Sequence, residues 1–558
     1  MYLPLFPLHR FKAFKTNFVN FGGSFYYLTD VDIKIFKGKE DQSKIERAAD
    51  GESEAEGNTA PGREQLFLCF FLLSRITKGK GMFSLVCKGT QRSARNIVQS
   101  SISCCAASAV GSFHLSPPVI ERKRPPLTTA MSTAPPPVAS KTHGIEKSVW
   151  VEFIQLALEV KPLNLGQGFP DFAAPDTVRK ALAQACTDEK NVLLNQYTRG
   201  FGHPRLIAAL SKLYSKLIGR ELNPLSEVLV TAGAYEALFV TIMGLVNQGD
   251  EVIIIEPFFD CYVPQVKLAG GTPVFVPLRP RKPSGTMSSA DWVLDPVELE
   301  AAFSEKTKAI IVNTPNNPLG KIFSQNELEM IANLCKKYNS IAIMDEVYEW
   351  MTYTGTEHLR MATLPGMWER TITIGSAGKT FSVTGWKTGW AYGPAELMKG
   401  PQVIHQHSVY TCTTPVQEAV AQGFEIELER FGTPECYFKS LPAELEVKRD
   451  NIVKILEDAG LYPIIPEGGY FILADVTPIT SKIDIGGDPN ERKDFRFVKW
   501  LSRNRKLQGI PPSAFYSPEH GQIGENYIRF CFIKEDENLE KAGEILRALK
   551  KDIDEGNV

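Results

Sequence analysis

Lys379 stands in Gly375-Ser-Ala-Gly-Lys-Thr-Phe381, directly after the apolar run Thr371–Ile374. A lysine held among apolar neighbours has a lowered pKa and can form a Schiff base with a carbonyl. The Gly-Lys-Thr triplet also occurs in nucleotide phosphate loops. Those have the form G-x-x-x-x-G-K-[ST], and here Thr373 takes the place of the first glycine. Asp345 opens Asp-Glu-Val-Tyr348 after the run Ile341–Met344. Open α/β sheets bind ligands at the carboxyl ends of their strands. A carboxylate there can keep a pyridine-type nitrogen protonated, which makes the ring an electron sink. Asn317 lies in Asn313-Thr-Pro-Asn-Asn-Pro-Leu-Gly320, again after an apolar run. Gly233-Ala234-Tyr235 begins a helix after Val228–Val230. Amides at a helix start, with the positive end of the dipole, favour a phosphate, and Ser376 and Lys387 could add a hydroxyl and a cation. Arg529 sits in the strand-like Tyr527–Phe532, flanked by Phe530 and Phe532. A charge placed there needs an anionic partner.

Each residue has a plainer explanation. Asp345 could cap a turn, Asn317 could form an Asx-turn, Gly233 could permit a bend, and Arg529 could pair with a nearby carboxylate. Their ordered recurrence at strand ends is what argues for one ligand site. His405 and His407 are spaced i, i+2 and do not share a helix face, so no metal site is expected there.

The elements that must hold these residues are legible from about residue 145 onward. Short Ile/Val-rich runs (Val228–Val230, Val252–Ile255, Ala309–Val312, Ile341–Met344, Thr371–Ile374) alternate with helical patterns. Continuous apolar strands suit a mostly parallel sheet buried on both faces, and the alternation predicts a doubly wound α/β domain. The pattern Gln325–Tyr338 reads as a helix, with Ser324 and Glu327 forming a capping box at its start. Later come amphipathic helices over Leu445–Ala459 and Asn538–Lys550, and strands over Tyr470–Ala474 and Tyr527–Phe532. The expected organisation is an arm and first part of a small domain over 144–180, a large α/β domain over 181–429, and the rest of a small α+β domain over 430–558.

The chain has 558 residues, with Lys+Arg 62 against Asp+Glu 64 and a formal charge of -2. That balance argues against nucleic acid as a main partner. The longest near-apolar run, Leu66–Leu73, is far below the roughly 20 residues of a membrane span, so no membrane association is expected. Ten cysteines lack metal-site spacing and read as reduced thiols. Residues 1–81 show no sustained periodicity and read as a disordered or artefactual extension. Met82–Ile120 has no Asp or Glu, carries Lys88, Arg92 and Arg95, and contains eight serines. This is the composition of a mitochondrial presequence. The Pro/Ala/Thr-rich 124–142 reads as a linker, within which Met131 could start a cytosolic form.

The motifs NTPNNPLG (313–320), DEVYEW (345–350), GSAGKTFSVTGWKTGW (375–390) and YIRFCF (527–532) resemble the fold-type I, class I aminotransferases that depend on pyridoxal 5'-phosphate. LNLGQGFPDF (163–172), LNQYTRGFGHP (194–204), EVIIIEPFFDCY (251–262) and YTCTTPVQEAVAQGF (410–424) are similar to the kynurenine aminotransferase and cysteine-S-conjugate β-lyase group. The resemblance covers about 145–555 and says nothing of 1–81. It implies that Lys379 is the Schiff-base lysine and proton shuttle, and that Asp345 pairs with the pyridinium nitrogen. Tyr348 and Asn317 would bond the phenolic oxygen, and Phe259 would stack on the ring. Gly233, Ala234, Ser376 and Lys387 would hold the phosphate, with Tyr197 reaching it from the second subunit of a homodimer whose active site lies at the interface. Arg529 would clamp the substrate α-carboxylate, helped by Gly168 and Asn317. Trp150, Tyr235 and Tyr410 would line an aromatic side-chain pocket. Thr411 stands where some relatives carry His, which leaves fine substrate preference open. The implied reaction converts kynurenine, glutamine, aromatic or sulphur amino acids to 2-oxo acids with a 2-oxo acid acceptor, with β-lyase side activity. The alternatives are a dedicated lyase or synthase on the same fold, or a non-catalytic binding protein built on it.

Overall fold

The computed structural model describes residues 137–146 and 148–558, and the backbone of three strands, Asn17–Phe21, Ser24–Leu28 and Ile33–Lys37. These three pair antiparallel in sequence order. The lack of periodicity in 1–81 does not anticipate them, because each is only five residues long. The presequence-like stretch from Met82 and the linker up to 136 lie outside the described residues.

Residues from Met131 to Val558 form one compact unit. Its centre is a sheet of seven strands: β1 (Val228–Thr231), β2 (Glu251–Glu256), β3 (Thr272–Pro277), β4 (Thr307–Asn313), β5 (Ile341–Asp345), β6 (Thr371–Ser376) and β7 (Gly389–Tyr392). The order is β1-β7-β6-β5-β4-β2-β3, and only β7 runs antiparallel to its neighbours. The five apolar runs read from the sequence are all strands of this sheet. Along β2, Val252 and Ile254 pack into one hydrophobic layer while Ile253 and Ile255 pack into the other. Both faces are therefore covered, which is why these strands read as continuous rather than alternating apolar runs. Full burial of each such side chain contributes about 1.5–3 kcal/mol.

Register brings the chemistry together. Asn313 at the end of β4 lies beside Asp345 at the end of β5, and Asp345 lies beside Ile374 of β6. Ser376 pairs with Gly389 of β7, which pairs with Thr231 of β1. One edge of the sheet thus carries all these positions.

The helix α1 (Val149–Val160) is capped by Ser148, whose side chain accepts from the Trp150 amide. Leu163–Asn164 then pairs in parallel with Leu507–Gln508, tying the segment after α1 to the C-terminal third. The helix α2 (Ala234–Leu245) follows β1, and α3 (Gln325–Lys337) carries the expected capping box of Ser324 and Glu327. A smaller sheet contains β8 (Tyr462–Ile465), β9 (Phe471–Asp475) and β10 (Tyr527–Cys531), with Arg529 opposite Leu473. The helix expected over Leu445–Ala459 begins earlier, at Tyr437, and contains Pro442. Proline lacks a helical donor, so the sequence pattern hides the first turns even though burial of Phe438 and Leu441 holds them.

Candidate active site

A cavity of about 340 Å³ opens at the carboxyl edge of the large sheet, against β9 and β10. Every residue that the resemblance placed in the site lines it except Tyr197 and Tyr410. Those two lie against each other edge-on, ring centroids 5.8 Å apart, and are 82% and 58% exposed. A single chain therefore does not bring them to the cavity, and the expected place of Tyr410 in an aromatic pocket is not met within one chain.

One end of the cavity is built for an anion. Gly233 has φ 84° and precedes α2. The Ala234 and Tyr235 amides, first in that helix, have no intrahelical acceptor. A Cβ on Gly389 would fall 2.5 Å from the Ala234 nitrogen, so β7 can approach the helix start only as glycine. Lys387, itself at φ 50°, brings its Nζ close to the same turn: a Cβ on Gly233 would lie 3.4 Å from it. Among the described residues no carboxylate pairs with Lys387. Ser376, at the start of the short helix Ala377–Thr380, makes no capping bond with its hydroxyl.

At the cavity's floor, Asp345 is 4% exposed. Its Oδ2 accepts from the Tyr262 hydroxyl at 2.5 Å and its Oδ1 from the Val347 amide at 3.4 Å. Burial raises its pKa to about 6, with those two hydrogen bonds and Lys379 opposing the rise. Lys379 projects from the turn after β6. Burial is the main cause lowering its pKa to about 8, and the Arg529 and Lys387 charges add to the effect. Its Nζ donates to the Tyr470 hydroxyl at 2.5 Å and the Gly168 carbonyl at 3.3 Å. Phe259 lies edge-on to Tyr235 and to Tyr262, and Tyr348 edge-on to Tyr470. Burial raises the pKa of the Tyr348 phenol, keeping it protonated.

The opposite wall carries Arg529, which is fully buried. It donates to Asn317 Oδ1 at 2.8 Å and to the Gly166 carbonyl at 2.7 Å. Its guanidinium lies over the rings of Phe471, Phe515 and Trp150 at 4.1, 5.1 and 5.2 Å. Burial lowers its pKa to about 10. No described carboxylate forms an ion pair with it, and its Nε has no partner. The plainer expectation of a structural ion pair is thus not met. Asn317 is positioned by its own amide, which donates to Asn313 Oδ1 at 2.7 Å. Gly168 has no room for a side chain, because a Cβ there would fall 2.4 Å from Phe471.

Sequence reasoning missed Tyr262, Tyr470 and the carbonyl of Gly166. Tyr262 follows the quoted Glu-Pro-Phe-Phe-Asp-Cys, and Tyr470 follows Gly468-Gly469 at the start of a strand. Only the fold reveals their partners. Among the described residues no cluster of His, Cys, Asp or Glu could hold a metal, and no helix is long and apolar enough to cross a membrane.

The cavity thus offers an anion cradle, a buried carboxylate, an amine of lowered pKa and a buried guanidinium without a carboxylate partner. Residues 160–546 match the family described as aminotransferase class I and II. Kynurenine–oxoglutarate transaminase 3 from Homo sapiens is 54% identical over 411 residues, which are 74% of this chain and 90% of that protein. Kynurenine–oxoglutarate transaminase 1 from Homo sapiens is 49% identical over 418 residues, 74% of this chain and 99% of that one. Among solved structures, Bna3p from Saccharomyces cerevisiae superposes with a TM-score of 0.70 at 37% identity, covering 75% of this chain and 100% of that one. Aspartate aminotransferase from Thermus thermophilus with maleate superposes with a TM-score of 0.64 at 27% identity, covering 74% and 100%. Aligned over this length with these relatives, and with its strand-end residues gathered around one cavity, the chain belongs to the class I and II aminotransferases.

Proposed function

We propose that the chain is a pyridoxal phosphate-dependent aminotransferase that takes kynurenine as an amino donor and a 2-oxo acid as acceptor. The observation that carries this is the pair of cations without carboxylate partners, the half-buried Lys379 and the fully buried Arg529, facing one cavity. The donor set fits the cofactor: a phosphate at Gly233, Ala234, Ser376 and Lys387, a ring nitrogen at Asp345, a phenolic oxygen at Tyr348 and Asn317, and Phe259 beside the ring. When bound, that group supplies an electron sink for the bond electrons of the substrate Cα.

The chain's own residues do the rest. Arg529 binds the α-carboxylate with two donors, a task that suits guanidinium better than ammonium. Asn317 and the Gly166 carbonyl hold the guanidinium in place. Lys379 takes the Cα proton on Nζ and returns it two atoms away, on the far side of the substrate nitrogen. Its lowered pKa supports this, because a base works best with a pKa near the ambient pH. Trp150 and Tyr235 face the side chain, and Phe471 and Phe515 limit water around Arg529. Where the substrate carries a good leaving group on Cβ, that group departs after the proton is removed, giving β-lyase side activity. Kynurenine itself is supported by the two human relatives, whose names state it.

The exposure of Tyr197 and Tyr410 supports a homodimer in which each chain lends these rings to the other's site. The acid-free stretch from Met82 supports mitochondrial import, with Met131 starting a cytosolic form. Sequencing the mature N-terminus from mitochondria checks the latter. The test of function is a donor–acceptor activity matrix on residues 131–558. Kynurenine with a 2-oxo acid should give new amino acid in equal amount to oxidised donor. Lys379→Ala should lower turnover roughly thousandfold or more. Lyase products without amino transfer, or full activity in that variant, would contradict the proposal.

A further inference from the structure

The hydrogen bonds around Lys379 have a direction. Its Nζ lies 2.5 Å from Oη of Tyr470 and 3.3 Å from the carbonyl oxygen of Gly168. Tyr470 Oη lies 2.9 Å from that same carbonyl. A phenol has one proton to donate, and a carbonyl only accepts. The phenol proton therefore points at Gly168, and a lone pair of Oη faces the amine. Burial raises the pKa of Tyr470 well above the usual phenol range, so it stays neutral. The ammonium form of Lys379 is thus held by two uncharged oxygens, with no described carboxylate in ion-pair reach.

Both oxygens are fixed by packing that does not need the hydroxyl. Tyr470 is 1% exposed, its ring lying 5.2 Å from Tyr348 and 4.8 Å from Phe471. Its carbonyl accepts from the Phe532 amide at 3.0 Å, and the preceding Gly469 amide donates to Met351 at 2.8 Å. The Gly168 carbonyl belongs to the segment whose Gly166 carbonyl accepts from Arg529. A single stretch of backbone therefore positions both cations of the site.

We propose that Tyr470 is a positioning residue for Lys379: its Oη accepts a hydrogen bond from Lys379 and holds the amine beside Gly168 whenever the lysine is not covalently engaged. The proposal rests on the reading of Lys379 as the reactive amine. The proton count closes on the lysine alone. A proton leaving Cα converts the amine to ammonium, with Tyr470 and Gly168 accepting two of its three N–H bonds. The third is free to return the proton, and Tyr470 neither gains nor loses one.

The test is Tyr470→Phe in the full chain without cofactor. The pH dependence of acetic anhydride labelling is followed on the Lys379 and Lys387 peptides by mass spectrometry. Losing an acceptor disfavours the ammonium form, so the Lys379 midpoint should fall by about 1 pH unit while that of Lys387 stays put. In the loaded enzyme kcat should fall about tenfold with little change in KM for the donor. Fluorotyrosine at 470 keeps the hydroxyl but weakens it as an acceptor, and should move the Lys379 midpoint the same way by less. That measurement stands even if the Phe variant folds poorly. An unmoved Lys379 midpoint in either protein, or equal shifts at Lys379 and Lys387, would overturn the proposal. Full activity in Lys379→Ala would instead overturn the reading on which it rests.

Discussion

Asp345 is buried and Lys379 half-buried at the same cavity, and the charge on each costs folding energy. The folded Asp345 has a pKa of about 6 against an ordinary value of 3.8. A carboxyl with a raised folded pKa costs nothing below its unfolded value. The cost grows as pH climbs to the folded value and is fully present above it. Lys379 carries the mirror-image cost below about 8, which fades toward 10.5. Asp345→Asn in the cofactor-free protein should therefore be more stable than the parent at pH 7, by up to roughly 3 kcal/mol, with the gain vanishing near pH 4. Urea melts at the two pH values measure this, and equal differences at both would contradict the assignment. Arg529→Lys keeps the charge but loses the two-pronged geometry. It should lower kcat/KM for the amino donor about ten- to hundredfold, the equivalent of losing about 1.5–3 kcal/mol of charged hydrogen bonding. Steady-state kinetics read the loss, and an unchanged value would remove Arg529 from the carboxylate role.

Asp345 is carried to its position by β5, and the turn after β5 is held by buried charges. Arg360 donates to Glu346 at 2.7 Å and to Glu349 at 2.5 Å, while the Tyr214 hydroxyl donates to Glu349 at 2.6 Å. Arg360→Met would leave two buried carboxylates without their cation. It should cost about 3–5 kcal/mol in stability, against almost nothing for the exposed Lys399→Ala. Denaturation midpoints compare the two, and similar values would show that the cluster does not hold the turn. These elements differ in how far they were legible. The strands were, because a strand covered on both faces must be apolar throughout, so Asn313, Asp345 and Ser376 stood out as the polar residues that end such runs. Tyr262 and Tyr470 were not. Each is a tyrosine in a packed segment whose partner, Asp345 or Lys379, lies 83 or 91 residues away. Nothing local separates such a tyrosine from core. Pro442 likewise masked the first turns of its helix.

At the scale of the whole molecule, the cavity was legible and the place of Tyr410 outside it was not. Tyr197 and Tyr410 pair on the outside of one chain, and only the family resemblance assigns Tyr197 to a partner's site. Mixing inactive Lys379→Ala chains with Tyr197→Ala chains tests it. Each mixed dimer would hold one site with both residues intact, so random mixing should restore about a quarter of the parent activity. No restoration would mean that Tyr197 serves its own chain or none. The stretch from Met82 offered composition alone, and sequencing the mature N-terminus checks the proposed import. We propose one amine, on Lys379, as the covalent anchor of the cofactor. Borohydride reduction of the loaded enzyme, followed by peptide mapping, tests it most directly. A pyridoxyl adduct is expected on the peptide carrying Lys379 and on no other. An adduct on a different lysine, or none in active enzyme, would contradict it.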